Sequence, residues 1–357
     1  MSQSSQHDPL SDDPRHQFHE LVVADVIRET ADAASFVFDV PAELASLFQY
    51  KAGQFFTFQI PWEDFEIKRC YSLSSSPSWD EKPKVTIKRV DDGRMSNWMN
   101  DNLGAGDRIQ AMPPAGSFIL HEHDRPLMLF GGGSGVTPVI SLLKCALANT
   151  ARKVKLVYAN RDLDSVIFRR EISQIASRHA DRLDVVHHLD DKSGFLTGDV
   201  IQRHLEGWLT ADFYICGPTP FMDIVESTLH AAPLEGGDIH IERFVSAVDP
   251  DRQHAPLDPA PTDSAVPESV TITLDGRTHE VAYQEGETIL AAGVRGGLDI
   301  PFSCKDGYCS CCMARLKRGQ VFMPTHEALS QSEIDDGWVL ACQARPTTSE
   351  CEIEYEE

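Results

Sequence analysis

The most definite chemistry in this chain belongs to four cysteines. Cys304, Cys309 and Cys312 fall within Pro301–Cys312, PFSCKDGYCSCC, in the spacing C-x4-C-x2-C, and Cys342 follows after 29 intervening residues. That spacing suits a [2Fe–2S] cluster, because one tight loop presents three thiolates and a separate segment brings the fourth. Gly307 stands where such a loop needs a positive φ or a close backbone approach. A structural zinc site with four cysteine ligands is the alternative. Zinc sites more often use two separated C-x2-C knuckles, and here there is one, Cys309 to Cys312.

A second group of residues could handle a nucleotide. Arg69-Cys70-Tyr71-Ser72 reads as a strand, and residues two apart share a face, so Arg69 and Tyr71 project together. An arginine binds phosphate bidentately, and a tyrosine can lie against a flat ring. Gly93-Arg94-Met95-Ser96-Asn97-Trp98 reads as a helix start, where free N–H groups favour a pyrophosphate. Gly133-Ser134-Gly135-Val136-Thr137-Pro138 joins a buried strand to a helix, and its glycines allow a dinucleotide to approach. It departs from the G-x-G-x-x-G fingerprint at Val136 and Pro138. Cys216-Gly217-Pro218 closes another strand of the parallel type, where ligand crevices form. Taken singly, each has a plain reading as surface, N-cap, tight packing or small core filler.

The elements that would position these groups follow three rhythms. From Phe18, short β-rich runs (FHELVVADVI, ASFVFDV, QFFTFQI, RCYSLSS, KVTIKRV) are separated by turn residues, predicting an antiparallel β-barrel over 15–124. Over 125–248, strands PLMLF, KVKLVYA, LDVVHHL and DFYICG alternate with helices, among them SVIFRREISQIASRH and PTPFMDIVESTLHAA. This predicts an α/β domain with a covered parallel sheet. Residues 249–267 are rich in proline, alanine and aspartate without periodicity and read as a linker. In 268–357, SVTITL and THEVAY around Asp275-Gly276 predict a hairpin, and ETILAAGVRGG a short helix ahead of the cysteine loop. Residues 1–14 read as a disordered tail.

The 357 residues carry a net charge of −23, which argues against a nucleic-acid partner. Residues 268–357 hold 16 Asp/Glu against 7 Lys/Arg, a face able to steer toward a basic partner. The uncharged run Pro126–Leu143 reaches membrane-span length, but Gly131, Gly132, Gly133, Gly135 and Pro138 break it into strand, loop and helix. No membrane association is expected. The start MSQSSQHDPLSDD is polar and acidic, unlike a secretory signal. Cys70, Cys145, Cys216, Cys311 and Cys351 remain outside the tetrad, an odd set that fits a reducing, cytoplasmic location. His121 and His123 would share a strand face without a third ligand nearby, and His187 and His188 would point oppositely.

In order along the chain, RCYSLSSSP, GRMSNW, GGGSGVTP, CGPTPFM and IERF resemble the ferredoxin–NADP reductase superfamily. With PFSCKDGYCSCC…LACQ added, the chain from about His16 onward resembles reductase components of bacterial oxygenases. The reductases of 3-ketosteroid 9α-hydroxylase and phenylacetyl-CoA epoxidase are the nearest in pattern. The resemblance implies FAD on the barrel, NAD(P)H on the α/β domain and a plant-type [2Fe–2S] cluster on a C-terminal β-grasp ferredoxin domain. Met95 in the GRMS position favours FAD over FMN.

Carried over by position, Arg69, Tyr71 and Ser72 would meet the flavin and its phosphate, and Gly93, Met95 and Ser96 the pyrophosphate. Gly133, Gly135 and Thr137 would line the nicotinamide side with Cys216, Gly217 and Pro218. Glu242 and Phe244 would lie near the flavin's reactive face. Ser72, Cys216 and Glu242 are the expected catalytic set. Backbone N–H groups around Ser303–Tyr308 would point at the cluster sulfurs. Ser310 and Cys311 depart from the family pattern.

Nicotinamide gives two electrons as hydride and a [2Fe–2S] cluster accepts one, so a flavin must stand between them. The expected path runs from NADH through FAD and the cluster to a terminal oxygenase of Rieske type, in steroid or aromatic catabolism. Plant-type clusters sit at roughly −400 mV. Arg161 and Arg169 follow the second α/β strand, where a 2′-phosphate of NADPH could be met, although similar reductases favour NADH. Another acceptor, such as a diiron epoxidase, and a redox-responsive binding module are the rival functions. A monomer is expected.

Overall fold

The computed structural model of the chain describes residues 13–245, 249, 266–326 and 328–355. The expected tail and linker lie largely outside these residues. The chain divides into two compact units. One comprises residues 20–60 and 71–244; the other, the described parts of 1–19, 61–70 and 245–357.

The first unit begins with strands β1 (His19–Thr30), β2 (Ala33–Asp39), β3 (Phe55–Trp62), β4 (Phe65–Ser72) and β5 (Lys84–Lys88). Helix α1 (Arg94–Asn102) and strand β6 (Arg108–Ala111) follow. The sheet order is β4-β3-β6-β1-β2-β5, and an antiparallel bridge from Leu73 to Val85 joins its two edges, as a barrel requires. Alternating side chains send Phe36, Phe38, Phe56 and Phe58 into the interior, each wholly buried. Residues 61–70, around the β3–β4 turn, group with the second unit.

The same unit continues with β7 (Leu127–Gly132), α2 (Val136–Asn149), β8 (Val154–Asn160), α3 (Arg169–Arg178) and β9 (Leu183–Leu189). It then runs through α4 (Asp190–Ser193), α5 (Gly198–Leu205), β10 (Asp212–Cys216), α6 (Thr219–Ala231) and β11 (Ile239–Glu242). All strands pair in parallel in the order β11-β10-β7-β8-β9. β7, β8 and β10 are buried at every residue, as strands covered on both faces are. The chain moves outward one way from β7 and then the other way from β10. The switch point therefore lies between their carboxyl ends, and there a crevice opens.

The helix expected from Ser165 starts later, at Arg169, because Phe168 takes a left-handed conformation (φ 59°) to sink its ring into the core. His121 and His123 lie outside any strand; a tight turn, with His123 N–H donating to the His121 carbonyl (3.0 Å), replaces it.

The second unit carries β12 (Ser269–Leu274), β13 (Arg277–Ala282), α7 (Ile289–Arg295), β14 (Met313–Arg318) and β15 (Val321–Phe322). Next come α8 (Gln331–Asp335), β16 (Trp338–Leu340), β17 (Arg345–Pro346) and β18 (Glu352–Glu354). The hairpin at Asp275-Gly276 is present, with both residues at positive φ (49° and 67°) as its two-residue turn demands. The main sheet runs β13-β12-β18-β14-β16, with β12 and β18 parallel and the rest antiparallel. Ile289, Leu290 and Ala292 of α7 pack on Ile272 and Ile353 in the core that also holds Cys312 and Cys342. Among the described residues no helix is long and apolar enough to cross a membrane.

Candidate functional site

In the second unit the cysteine loop is bent by three left-handed residues: Lys305 (φ 62°), Gly307 (φ 81°) and Ser310 (φ 55°). Gly307 has the positive φ expected of it, and a Cβ there would press on Thr325 and Gln343. These bends turn backbone donors inward. Asp306 N–H donates to Cys304 Sγ (3.3 Å), Cys304 N–H to Cys309 Sγ (3.5 Å) and Cys342 N–H to Cys312 Sγ (3.4 Å). Gln343 holds the Lys305 carbonyl through Nε2 (3.0 Å) and faces Cys342 Sγ (3.9 Å).

The four sulfurs lie close enough to alter one another. Cys304 and then Cys311 and Cys70 hold the Cys309 thiol well below its ordinary range through hydrogen bonds, and Cys312 lowers Cys342 likewise. Four convergent cysteine sulfurs with inward N–H groups are the donor set that a soft iron–sulfur core requires. The tetrad fits the cluster. Phe302, just before Cys304, is fixed by stacking on His16 (3.9 Å).

In the first unit the crevice is assembled from strand ends. Ser72, the last residue of β4, donates from Oγ to Glu242 Oε2 (3.2 Å). Glu242 ends β11 and stands beside Cys216, its partner in register at the end of β10. Desolvation pushes the Glu242 carboxyl up to about 8, so it is protonated at neutral pH. Cys216 is fully buried, and burial followed by the Glu242 charge raises its thiol.

The Gly133–Gly135 loop closes the same crevice. A Cβ on Gly135 would overlap the Cys216 carbonyl, so only glycine permits this approach. Thr137, buried, donates from Oγ1 to the Ser134 carbonyl (3.0 Å), and Tyr158 OH donates to the Gly133 carbonyl (3.1 Å). Gly217 abuts Gly132, and Pro218 precedes α6. The first turn of α2 carries no side-chain cap, and its Val136 N–H donates to the Gly133 and Ser134 carbonyls.

Gly93 caps α1 by backbone alone, with Met95 and Ser96 buried behind it, and Ser96 Oγ accepts from Val90 N–H (3.3 Å). Tyr71 packs at 6.2 Å from Phe58, and Phe244 is 46% exposed. Arg69 stands apart from this group: its guanidinium is held by the buried carboxylate of Asp249 (2.6 Å) within the second unit. Ser72, Cys216 and Glu242 therefore converge, whereas Arg69 is engaged elsewhere.

Several supporting residues had no motif to mark them. Lys144, fully buried, pairs with Glu171 (2.6 Å) and Asp80 (3.2 Å) and donates to the Ser74 carbonyl (3.3 Å). Ser141 Oγ donates to the Ser75 carbonyl (2.5 Å), and Tyr50 OH to Ser75 Oγ (2.7 Å). Together they grip the strand that leaves Ser72. A lone lysine in the apolar run VTPVISLLKCALAN was the available signal. His121 gains partners through the fold: it stacks on His240 (4.5 Å), which stacks on Tyr214 (4.4 Å). His123 reaches Asp212 (3.2 Å), but Arg152 (2.5 Å) and Arg125 (3.2 Å) already neutralise that carboxylate.

Comparison with known proteins assigns three stretches of the chain to families. Residues 20–119 match the family described as an oxidoreductase FAD-binding domain, 129–227 an oxidoreductase NAD-binding domain, and 272–347 a 2Fe-2S iron-sulfur cluster binding domain. The chain is 41% identical over 337 residues to the ferredoxin reductase component of the 3-ketosteroid-9-alpha-monooxygenase of Rhodococcus rhodochrous, covering 94% of this chain and 96% of the relative. The chain belongs to the oxygenase reductase family.

One component of the 1,2-phenylacetyl-CoA epoxidase of Escherichia coli is 29% identical to this reductase, covering 95% of this chain and 98% of the relative. The structure of phthalate dioxygenase reductase shares its fold, with a TM-score of 0.58 at 23% identity over 97% of this chain and 99% of that one. The reductase is thus an oxidoreductase with domains for FAD, a pyridine nucleotide and a [2Fe–2S] cluster, and it passes electrons to a terminal oxygenase. The rival structural zinc reading of the tetrad gives way to this assignment.

Proposed function

We propose that this reductase draws on NADH and serves a terminal monooxygenase acting on 3-ketosteroids. The convergence of Ser72 Oγ, protonated Glu242 and neutral Cys216 at the switch point carries the hydride half of this reading. The steroid assignment is supported by the 41% identity to the Rhodococcus rhodochrous component. When bound, FAD would supply acceptance of one hydride, two electrons at once, and the [2Fe–2S] cluster one-electron transfer.

The residues divide this work. Arg69, Tyr71 and Ser72 hold the flavin and its phosphate, with Asp249 competing for Arg69; Gly93, Met95 and Ser96 hold the pyrophosphate. Gly133, Gly135, Thr137, Gly217 and Pro218 form the nicotinamide wall, and Phe244 covers the flavin face. Cys216 lends that wall a neutral, fully buried thiol. Glu242, protonated below about pH 8, accepts at Oε2 from Ser72 Oγ. Cys304, Cys309, Cys312 and Cys342 bind the cluster. Arg161 is engaged by Asp162 (2.9 Å), whose charge would repel a 2′-phosphate, which supports NADH.

The functional boundaries follow the expected spans, with barrel 15–124, α/β domain 125–248 and ferredoxin domain 268–357, in a monomeric cytoplasmic protein. Reconstitution with Rieske oxygenases tests the reading. Turnover of a 3-ketosteroid driven by NADH supports it; electron delivery only from NADPH, or only to an epoxidase acting on phenylacetyl-CoA, overturns it.

A further inference from the structure

Helix α2 is buried along most of its length, yet three polar side chains share one of its faces: Thr137, Ser141 and Lys144, at i, i+4 and i+7. A serine inside a helix ordinarily faces water or bonds the carbonyl one turn back. Ser141 is wholly buried and bonds outward instead. Its Oγ donates to the Ser75 carbonyl (2.5 Å) and accepts from Gly53 N–H (3.2 Å). Gly53 comes this close because it lacks a Cβ, which would overlap the Phe118 carbonyl and press on Leu142 of α2 (3.1 Å).

The two backbone groups joined by this hydroxyl flank one short segment. Gln54, next after Gly53, accepts at its carbonyl from Leu73 N–H (2.8 Å), and Ser75 lies two residues beyond Leu73. Leu73 follows Ser72, whose Oγ meets Glu242 (3.2 Å). Ser141 therefore pinches both sides of the segment that carries the Ser72 side chain. Removing its hydroxyl takes a partner from the buried Gly53 N–H and Ser75 carbonyl, and the segment must shift to replace it. We propose that Ser141 is a positioning residue that aligns Ser72 with Glu242, and so couples the nicotinamide end of α2 to the hydride crevice. The inference rests on Ser72, Cys216 and Glu242 forming that crevice.

The test uses the full-length holoprotein and first asks whether Ser72→Ala and Glu242→Gln slow flavin reduction by NADH in stopped flow. Wild-type rates in both sink the crevice reading itself, separately from this inference. Ser141→Ala should then slow flavin reduction at saturating NADH ~10-fold, with the half-saturating NADH concentration held within about twofold. In the Ser72→Ala background the same substitution should add nothing, since its influence passes through Ser72. A signature independent of turnover is the infrared carbonyl band of the protonated Glu242 carboxyl, identified by its loss in Glu242→Gln. That band should move in Ser141→Ala in the direction it moves in Ser72→Ala. A band that stays in place overturns the proposal, as does a rate loss that persists undiminished in the Ser72→Ala background. A change confined to half-saturation overturns it too. Should Ser141→Ala not fold, Ser141→Cys, close in size with a weaker donor, decides: a band shifted part of the way supports the proposal, and an unshifted band rejects it.

Discussion

In the cysteine loop, three of four sulfur donors come from Cys304–Cys312, and backbone N–H groups of the same loop complete the site. In the crevice, Ser72 and Glu242 are 170 positions apart and meet only because β4, β10 and β11 end together. The loop is a local solution, in which three left-handed residues set the geometry and the surrounding core need only bring Cys342. The crevice is a collective one, resting on sheet order and on contacts such as Lys144 with Glu171 and Asp80. A local site should fail in isolation. A collective site should register damage made far from it.

The largest effect expected is from Cys342→Ser, which removes the one ligand supplied from outside the loop. Iron and sulfide content should collapse and delivery to the oxygenase should cease, while ferricyanide reduction by NADH survives. Parallel loss of both activities would erase the distinction between the two regions.

Lys144→Met tests the collective site. It leaves Asp80 without its buried cation and Glu171 with Lys84 alone (3.4 Å), and unfolding free energy should drop by about 3 kcal/mol in denaturant titrations. A loss under 1 kcal/mol would mean that the crevice does not lean on this network.

Gly135→Ala is milder. Its Cβ would push the loop off the Cys216 carbonyl, raising KM for NADH ~10-fold, or about 1.4 kcal/mol, with iron content unaltered. Steady-state kinetics with ferricyanide would read it, and an unchanged KM would place the nicotinamide elsewhere.

The most gradual effect is a pH slope. Native Glu242 keeps its proton to about pH 8, whereas the unfolded carboxyl loses it near 4.5. Between those values the unfolded chain binds fewer protons, so this group makes stability fall as pH rises. The amplitude is on the order of a few kcal/mol. Glu242→Gln cannot ionise, so thermal melts at pH 5, 6.5 and 8 should show its advantage over wild type growing with pH. Parallel profiles would reject a raised carboxyl.

Much of this was legible beforehand, and the exceptions have physical causes. Short β-rich runs between turn residues marked the barrel strands, and alternating strand and helix runs marked the α/β domain, because apolar runs and the turn residues that end them are local to each segment. The helix expected from Ser165 began instead at Arg169, because burying the Phe168 ring took precedence over local helical pattern. His121 and His123 read as a strand pair lacking a further partner, yet His240 and Asp212 arrive beside them from strands more than eighty residues on. Arg69 read as a phosphate ligand, and only the fold brings Asp249 to its guanidinium.

Spacing alone determined the cysteine tetrad, since ligands that share one loop have a separation set by chain geometry. The order of the glycine loops likewise determined a barrel, a parallel sheet and a hairpin-led third domain. Only the tertiary structure decided that Glu242 is a proton-bearing acid and that Lys144 is a buried tie. Ionisation and hydrogen bonding depend on desolvation and on neighbours brought from elsewhere in the chain, and a residue's own segment does not record them.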